Sequence, residues 1–255
     1  MRCLVLGAGA LGSILAAHLA RAGHEVTLIA RGARAAALRT QPLRITGLVD
    51  FAIHCAVCAA DEVPTATDLF INTVKTRDSR TALAGLGPCA PAVAFSVQNG
   101  VVKEEELAAR FGAAQVLGAM ADFSGELCAD GSVEFSRNVC LHLGEPAGGL
   151  STRATDVAAA IDAAGIVCRP SPAIATVIWS KYVGWNALML AAVLTRRTTD
   201  DFLRDPDSAL IVARITREMG ALAAARGIPL RDQSPLPVAS IVQATEADAV
   251  RLVQD

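Results

Sequence analysis

The sequence predicts an α/β domain followed by an all-helical domain. Up to Pro170, short apolar runs of strand character alternate with helical segments, which is the pattern of a parallel sheet covered by helices. From Ala173 onward the strand-like runs stop and long helical segments follow. We therefore assign residues 1–170 to the α/β domain and residues 171–255 to the helical domain.

The α/β assignment starts from a glycine-rich loop at the N-terminus. Arg2 to Leu6 has strand character, Ser13 to Arg21 has helical character, and Gly7, Gly9 and Gly12 between them form G-x-G-x-x-G. In this motif the glycines permit a tight turn, backbone approach to a pyrophosphate and close packing of helix on strand. Free N–H groups at the helix N-terminus favour an anion. The motif predicts a Rossmann-type dinucleotide-binding domain; the alternative is a tight turn that binds nothing. The candidate cofactor contacts are the loop residues Gly7, Ala8, Gly9, Ala10, Leu11 and Gly12.

The next strand, Glu25 to Ala30, ends at Arg31. An acidic residue at this position would accept hydrogen bonds from the adenosine ribose 2′-OH and select NAD. Arg31, with Arg34 close behind, instead suits a 2′-phosphate, because guanidinium groups bind phosphate with two parallel hydrogen bonds. We expect NADPH/NADP as the cofactor; the alternative is a solvated loop arginine.

Two further polar residues follow predicted parallel strands. Lys75 ends the strand Leu69–Lys75, and Asn99 lies just beyond the strand that begins at Ala92. Ligands of such sheets bind outside the carboxyl ends of the strands, so Lys75 is a candidate for a phosphate or ribose contact. The Asn99 amide both donates and accepts hydrogen bonds, which suits a nicotinamide ribose and a substrate oxygen. The alternatives are a loop cation and an ordinary Asn-Gly turn.

The remaining elements follow from apolar pattern and turn residues. We predict a polar turn at Thr76–Asp78, a helix at Lys103–Phe111, and antiparallel strands over residues 125–145 around Asp130-Gly131. Further strands are predicted near Leu43–Ile45, Ala52–Cys58, Val116–Ala121 and Gly165–Pro170, and further helices at Thr152–Ala164, Ala175–Thr195, Pro206–Arg226 and Leu236–Gln254.

Composition narrows the function classes. The formal net charge of −2 provides no broad basic field for nucleic acid. No uninterrupted apolar run reaches the roughly 18 residues that span a bilayer, and no export signal is evident, so we expect a cytoplasmic protein. The seven cysteines are odd in number and scattered, which is typical of free thiols. Cys55-x-x-Cys58 lacks a second ligand pair, so we expect no metal site.

The helical half contains one candidate acid–base residue, Lys181. It lies in Trp179-Ser-Lys181-Tyr-Val-Gly-Trp185-Asn186, on a largely apolar helix. Burial there would lower the lysine pKa towards a range useful for proton transfer. The alternative is a lysine whose apolar stem packs while its ammonium reaches solvent.

Five features in this order resemble the ketopantoate reductase (2-dehydropantoate 2-reductase) family. They are G-A-G-A-L-G at residues 7–12, Arg31, V-K at 74–75, Q-N-G at 98–100 and W-x-K at 179–181. The resemblance covers nearly the whole chain. It implies an N-terminal Rossmann domain, a C-terminal all-helical domain, a site in the cleft between them, and a place in pantothenate biosynthesis.

The resemblance also implies roles for the candidate residues. NADPH would deliver hydride to the carbonyl carbon of a 2-oxo acid, and Lys181 would polarise the carbonyl oxygen and donate the proton. Asn99 would contact both the nicotinamide ribose and the substrate, so that Asn99 and Lys181 form the substrate site. Lys75 would lie on the cofactor side. The oligomeric state stays open, with a homodimer as one assembly.

The substrate half departs from the family pattern. Family members carry asparagines four and eight residues after the catalytic lysine and another further on, where this chain has Trp185, Met189 and Thr199. The family's late Ser-Met-x-Gln-Asp segment corresponds to Arg251-Leu-Val-Gln-Asp255, either a degenerate form or a segment cut short. We therefore expect a 2-oxo acid less hydroxylated than ketopantoate, or weak activity on ketopantoate.

Two other functions compete with this hypothesis. One is a β-hydroxyacid dehydrogenase, which also joins a Rossmann domain to a helical domain and uses a lysine. The other is a protein that binds NADP(H) without turnover, as a sensor or an inactive paralogue. The strand-end Arg31 and the spacing from Q-N-G to W-x-K favour the reductase.

Overall fold

The computed structural model describes all residues from Met1 to Asp255, which form two compact units, Met1–Ile174 and Ala175–Asp255. The strands of the first unit are β1 (Arg2–Leu6), β2 (Glu25–Ile29), β3 (Leu43–Gly47), β4 (Phe51–Ile53), β5 (Ala56–Cys58), β6 (Ala66–Asn72), β7 (Ala90–Ser96), β8 (Gly118–Leu127), β9 (Val133–Gly144) and β10 (Cys168–Pro170). Its helices are α1 (Ala10–Arg21), α2 (Gly32–Thr40), α3 (Thr76–Ala84), α4 (Lys103–Phe111) and α5 (Thr152–Ala163).

The first sheet is parallel throughout, in the order β5-β2-β1-β6-β7. The strand order reverses beside β1: the chain moves outward through β2 and β5, returns to β6 on the other side of β1, and continues to β7. In doubly wound sheets such a reversal opens a crevice at the carboxyl ends of the central strands. The predicted α/β fold class with a Rossmann-type sheet is confirmed.

The two faces of this sheet bury different cores. On one face Leu4, Leu6 and Phe70 pack with Leu83 and Leu107 of α3 and α4. On the other face the core is continuous with α1 and the second sheet. Almost all of α1 between Gly12 and Leu19 is buried, so this helix is enclosed between the two sheets.

The second sheet runs β10-β9-β3-β4, with β8 antiparallel to β9. The predicted antiparallel pair around Asp130-Gly131 is confirmed, and the Asp130 carboxylate accepts from the Ser132 backbone N–H at 2.9 Å. The predicted edge strand before Pro170 is also present, pairing parallel to β9.

Two local predictions in the first unit were wrong, and one helix was not predicted. The single strand predicted at Ala52–Cys58 is two strands, because β4 pairs with β3 in the second sheet while β5 pairs with β2 in the first. The polar turn predicted at Thr76–Asp78 is the first turn of α3. Helix α2 was not predicted, since its alanine-rich sequence has little amphipathic pattern.

The second unit is entirely helical. Its helices are α6 (Ile174–Thr195), α7 (Thr199–Leu203), α8 (Pro206–Ala225), α9 (Val238–Gln243) and α10 (Glu246–Gln254). Pro206 begins α8 behind an Asp205 cap that accepts from Ser208 N–H at 3.0 Å. The helix predicted over Leu236–Gln254 is divided in two, because Thr245 caps a new helix by accepting from Asp248 N–H.

Helix α6 contradicts one expectation from composition. It is long and apolar enough to cross a membrane by length and composition alone, and half of its most apolar stretch is buried inside the protein. Uninterrupted apolar runs do not reveal this helix, because Ser180 and Lys181 break the run. The central helix of a globular core satisfies the same criteria.

Candidate functional site

The predicted residues of the first unit occupy four turns at one edge of the parallel sheet. The turns follow β1, β2, β6 and β7 and contain the glycine loop, Arg31, Lys75 and Asn99 respectively. Because the strands are parallel, their carboxyl ends share one edge, and this edge includes the topological reversal beside β1.

The three glycines of the loop are required for different reasons. Gly7 has a φ of +104°, a conformation that side chains rarely adopt. A Cβ on Gly12 would stand 2.0 Å from the Gly7 carbonyl oxygen, so α1 packs directly on the turn. A Cβ on Gly9 would meet no protein atom within 4 Å. The absence of a side chain at Gly9 therefore serves no packing need within the protein, as expected where a ligand approaches the backbone.

Thr73, which the sequence analysis missed, closes the turn from the side of β6. Its hydroxyl lies 3.0 Å from the Leu6 carbonyl oxygen and 2.9 Å from that of Gly7, and its backbone N–H donates to Leu6 at 2.9 Å. A Cβ on Gly12 would also come within 2.4 Å of this hydroxyl. The feature that could have indicated this contact is a threonine directly after β6, the strand that pairs with β1.

The N-terminus of α1 fits a phosphate group. Its N-cap is Gly9, which has no side chain to bond the N–H groups of the first turn. Such groups carry the positive end of the helix dipole and bind anions. The open space over Gly9 and the uncapped helix together form a cradle with the room and the hydrogen-bond donors that a phosphate group needs.

The two arginines near β2 differ in environment. Arg31 is exposed in extended backbone immediately before α2. Arg34 is partly buried and donates to the Ala8 carbonyl at 3.2 Å, the Ser13 hydroxyl at 3.2 Å and the Gly131 carbonyl at 2.6 Å. Burial lowers the pKa of Arg34. The Arg34 guanidinium therefore holds the glycine loop from within the protein, and its contribution to a 2′-phosphate site stays a prediction.

The turns that contain Lys75 and Asn99 are joined. The Thr76 hydroxyl donates to the Asn99 carbonyl at 3.3 Å, and the Gln98 side-chain amide donates to the Val74 carbonyl. Lys75 and Asn99 are both exposed. These hydrogen bonds fix the backbone of the two turns and leave the side chains of Lys75 and Asn99 unused by them.

Lys181 lies in the second unit, in the first half of α6. It is half-buried, while its neighbours Trp179 and Ser180 are buried. The Ser180 hydroxyl accepts from the Arg231 N–H at 2.9 Å, which ties this turn of α6 to the segment before α9.

The residues at the expected asparagine positions are apolar and accessible. Trp185 and Met189 follow Lys181 at four-residue intervals, hence on one helix face, and are 38% and 37% exposed. Asn186 donates its side-chain amide to the Tyr182 carbonyl at 2.7 Å, so it does not replace the missing asparagine at 185. Thr199 begins α7 and is exposed.

No cluster of three or more His, Cys, Asp or Glu side chains suitable for a metal ion is present. The cysteines are free thiols. Burial raises the pKa of Cys55 to about 11 and also raises that of Cys58, so the Cys-x-x-Cys pair is held in its unreactive protonated form.

Comparison with known proteins identifies relatives of the whole chain. The family described as ketopantoate reductase PanE/ApbA matches residues 3–148. A 2-dehydropantoate 2-reductase from Archaeoglobus fulgidus is 31% identical over 207 residues, covering 80% of this chain and 68% of that protein. The solved 2-dehydropantoate 2-reductase from Methylococcus capsulatus is 29% identical, with a TM-score of 0.77 over 98% of this chain and 80% of that chain. A D-mandelate dehydrogenase solved with NADH shares the fold at 19% identity, with a TM-score of 0.83 over 98% and 80% of the two chains. The predicted family resemblance is confirmed.

Proposed function

Because the chain belongs to the ketopantoate reductase PanE/ApbA family, we propose that it reduces 2-dehydropantoate to pantoate, a step of pantothenate biosynthesis, with NADPH. The observation that carries the proposal is the cradle at the sheet edge: Gly9 open to a ligand, an uncapped α1 behind it, and Lys75 and Asn99 on the adjoining turns. Family membership makes the chain an oxidoreductase that acts on a CH–OH group with a nicotinamide dinucleotide, as the sequence analysis predicted.

The preference for NADPH rests on Arg31. Its side chain is exposed at the carboxyl end of β2, where a ribose 2′-substituent is read in this fold. A 2′-phosphate there would receive charge-assisted hydrogen bonds from the guanidinium. No acidic residue occupies the position to favour a 2′-hydroxyl.

The cofactor supplies a hydride to the carbonyl carbon when it is bound. The residues proposed to hold it are the loop Gly7–Gly12, Arg31, Lys75 and Asn99. Lys181 donates a hydrogen bond to the carbonyl oxygen of the 2-oxo acid, stabilises the negative charge that develops on it, and gives it a proton. Asn99, on its braced turn, orients the substrate oxygen beside the nicotinamide ribose.

A second candidate substrate is a 2-oxo acid with fewer hydroxyl groups. Trp185 and Met189 present apolar surface on the same face of α6 as Lys181. Side chains without hydrogen-bonding groups compensate poorly for desolvating a substrate hydroxyl. This observation favours an apolar substituent at C3. We also propose that the protein is cytoplasmic. A homodimer is the first oligomeric state to test.

The test is NADPH oxidation with 2-dehydropantoate, beside a series of 2-oxo acids with apolar substituents, for the wild type and Lys181→Ala. We expect a kcat above roughly 1 per second on at least one substrate. Lys181→Ala should lose turnover by about 100-fold or more and keep its NADPH affinity. NADPH binding without turnover of any 2-oxo acid by the wild type would refute the reductase proposal and favour a cofactor-binding protein.

A further inference from the structure

The first residue of α4, Lys103, is a buried charge that the reaction outlined above does not use. Its side chain is 3% exposed. A cation at a helix N-terminus opposes the helix dipole, and burying an ammonium is costly unless it is paired and hydrogen-bonded. Lys103 therefore needs specific partners in the folded protein.

Those partners connect three parts of the cofactor domain. The Lys103 ammonium donates to the Gly100 carbonyl at 2.9 Å and lies 3.2 Å from the Glu104 carboxylate. Glu104 in turn accepts from the Ala119 N–H of β8 at 3.4 Å. Burial lowers the pKa of Lys103, and the Glu104 carboxylate opposes that shift. The ammonium thus joins the turn after β7 to α4 and, through Glu104, to β8.

The Gly100 carbonyl belongs to the residue that follows Asn99. Gly100 has a φ of +110°, a backbone conformation that residues with a side chain rarely adopt. Three successive residues of the turn are held: Gln98 through its amide on Val74, Asn99 through its carbonyl, and Gly100 through Lys103. The bond from Lys103 is the charge-assisted one of the three, a class roughly twice as strong as neutral hydrogen bonds.

We propose that Lys103 is a positioning residue for the reaction: its ammonium fixes the Gly100 carbonyl and thereby the orientation of the Asn99 side chain. The inference rests on the proposed function, in which Asn99 orients the substrate. Lys103 itself contacts neither cofactor nor substrate. It acts on the nicotinamide end of the site, while the glycine loop is held by Thr73 and Arg34.

The test is a double-mutant cycle between Lys103→Met and Asn99→Ala, with Glu105→Gln as a control because Glu105 is exposed on the same helix. Lys103→Met should lower kcat/KM for the 2-oxo acid by about 10- to 100-fold, as small misplacements of a substrate-binding group do. The Kd for NADPH should change less than kcat/KM, because the glycine loop, Arg31 and Lys75 still hold the cofactor. In the Asn99→Ala background, Lys103→Met should cause no further loss. Glu105→Gln should behave as the wild type.

Multiplicative losses in the double variant, or an unchanged kcat/KM in Lys103→Met, would overturn the inference. If Lys103→Met fails to fold, it is combined with Glu104→Gln. The second change removes the charge of the carboxylate that Lys103 had paired, and the glutamine oxygen still accepts from the Ala119 N–H. Backbone and side-chain amide resonances in NMR spectra give a readout without turnover: Lys103→Met should shift the Asn99 side-chain amide and the backbone amides of residues 99–101, and leave residues 7–12 unchanged. An inactive wild type would refute the proposed function, while an unchanged Asn99 side-chain resonance would refute the role of Lys103.

Discussion

Two alanine substitutions in the glycine loop should have different effects: Gly9→Ala should weaken cofactor binding, and Gly12→Ala should lower stability. Gly9→Ala adds a methyl group to open space, whereas Gly12→Ala adds one against the Gly7 carbonyl oxygen. Both changes add the same atoms three residues apart, so each variant is the control for the other. The comparison separates a packing requirement within the protein from a requirement imposed by the ligand.

The expected magnitudes follow from the geometry. Gly9 has φ −76° and ψ −167°, which alanine adopts without strain, so alanine should gain about 0.4–1 kcal/mol by restricting the unfolded chain. Alanine is a poorer N-cap than glycine, and this loss offsets the gain, so Gly9→Ala should keep stability within about 1 kcal/mol of the wild type. At Gly12 the contacts of 2.0 Å and 2.4 Å cannot both persist, and overpacking costs about 1–3 kcal/mol. Alanine's better helix propensity returns about 1 kcal/mol. We expect a net loss of up to about 2 kcal/mol, or about 4–8 °C in Tm.

Thermal unfolding and NADPH titration decide the outcome. Gly9→Ala should keep a Tm close to that of the wild type and bind NADPH at least about tenfold more weakly, which is a loss of about 1.4 kcal/mol. Gly12→Ala should lower the Tm. If Gly9→Ala binds NADPH as the wild type does, the pyrophosphate does not lie over Gly9 and the proposed cradle is wrong. A wild-type Tm in Gly12→Ala would show that the close contact relaxes without cost.

Three further predictions concern cofactor choice, acid stability and substrate choice. Arg31→Glu should weaken NADPH binding by about 1.5–3 kcal/mol, the worth of hydrogen bonds to a charged group, with NADH affected far less; equal losses for both cofactors would contradict the assignment of Arg31. Burial lowers the pKa of His18, so below about pH 6.5 the unfolded chain binds more protons than the folded protein, and stability should fall as the pH drops through that range. His18→Gln should make the Tm depend less steeply on pH. An unchanged slope would exclude His18 as its source. Replacing Trp185 and Met189 together by asparagine should raise kcat/KM for 2-dehydropantoate relative to an apolar 2-oxo acid, and an unchanged ratio would show that these residues do not select the substrate.

Local patterns predicted the cofactor half of the protein well. The glycine loop directly follows the apolar run of β1 and leads directly into α1. Its geometry therefore depends on residues that are close in sequence. The Asp130-Gly131 turn is equally local, since Asp130 bonds Ser132 two residues on. The placement of Arg31, Lys75 and Asn99 at one edge of the sheet was predictable because parallel strands bring their carboxyl ends together.

Features that depend on distant partners were not predictable. Arg34 bonds Gly131, which lies 97 residues away, and nothing in its own neighbourhood indicates that contact. Phe51–Ile53 and Ala56–Cys58 lie in one largely apolar stretch that only His54 interrupts, and they form two strands because their partner strands belong to different sheets. A lysine followed by three glutamates is typical of a solvent-exposed first turn of a helix, so the sequence did not indicate that Lys103 is buried.

The enclosure of α1 between two sheets has a consequence for the order of events during synthesis. Helix α1 packs against β1 and β2 on one side and against β3, β8 and β9 on the other, and Ile45 of β3 pairs with Val133 of β9. A ribosome that has released only the first hundred residues has produced the parallel strands, the glycine loop and β3, but not β8 and β9, which cover much of the far side of α1. The nascent chain therefore exposes part of an apolar helix face until residue 144 has emerged, and this interval is where we expect chaperone binding and aggregation to act.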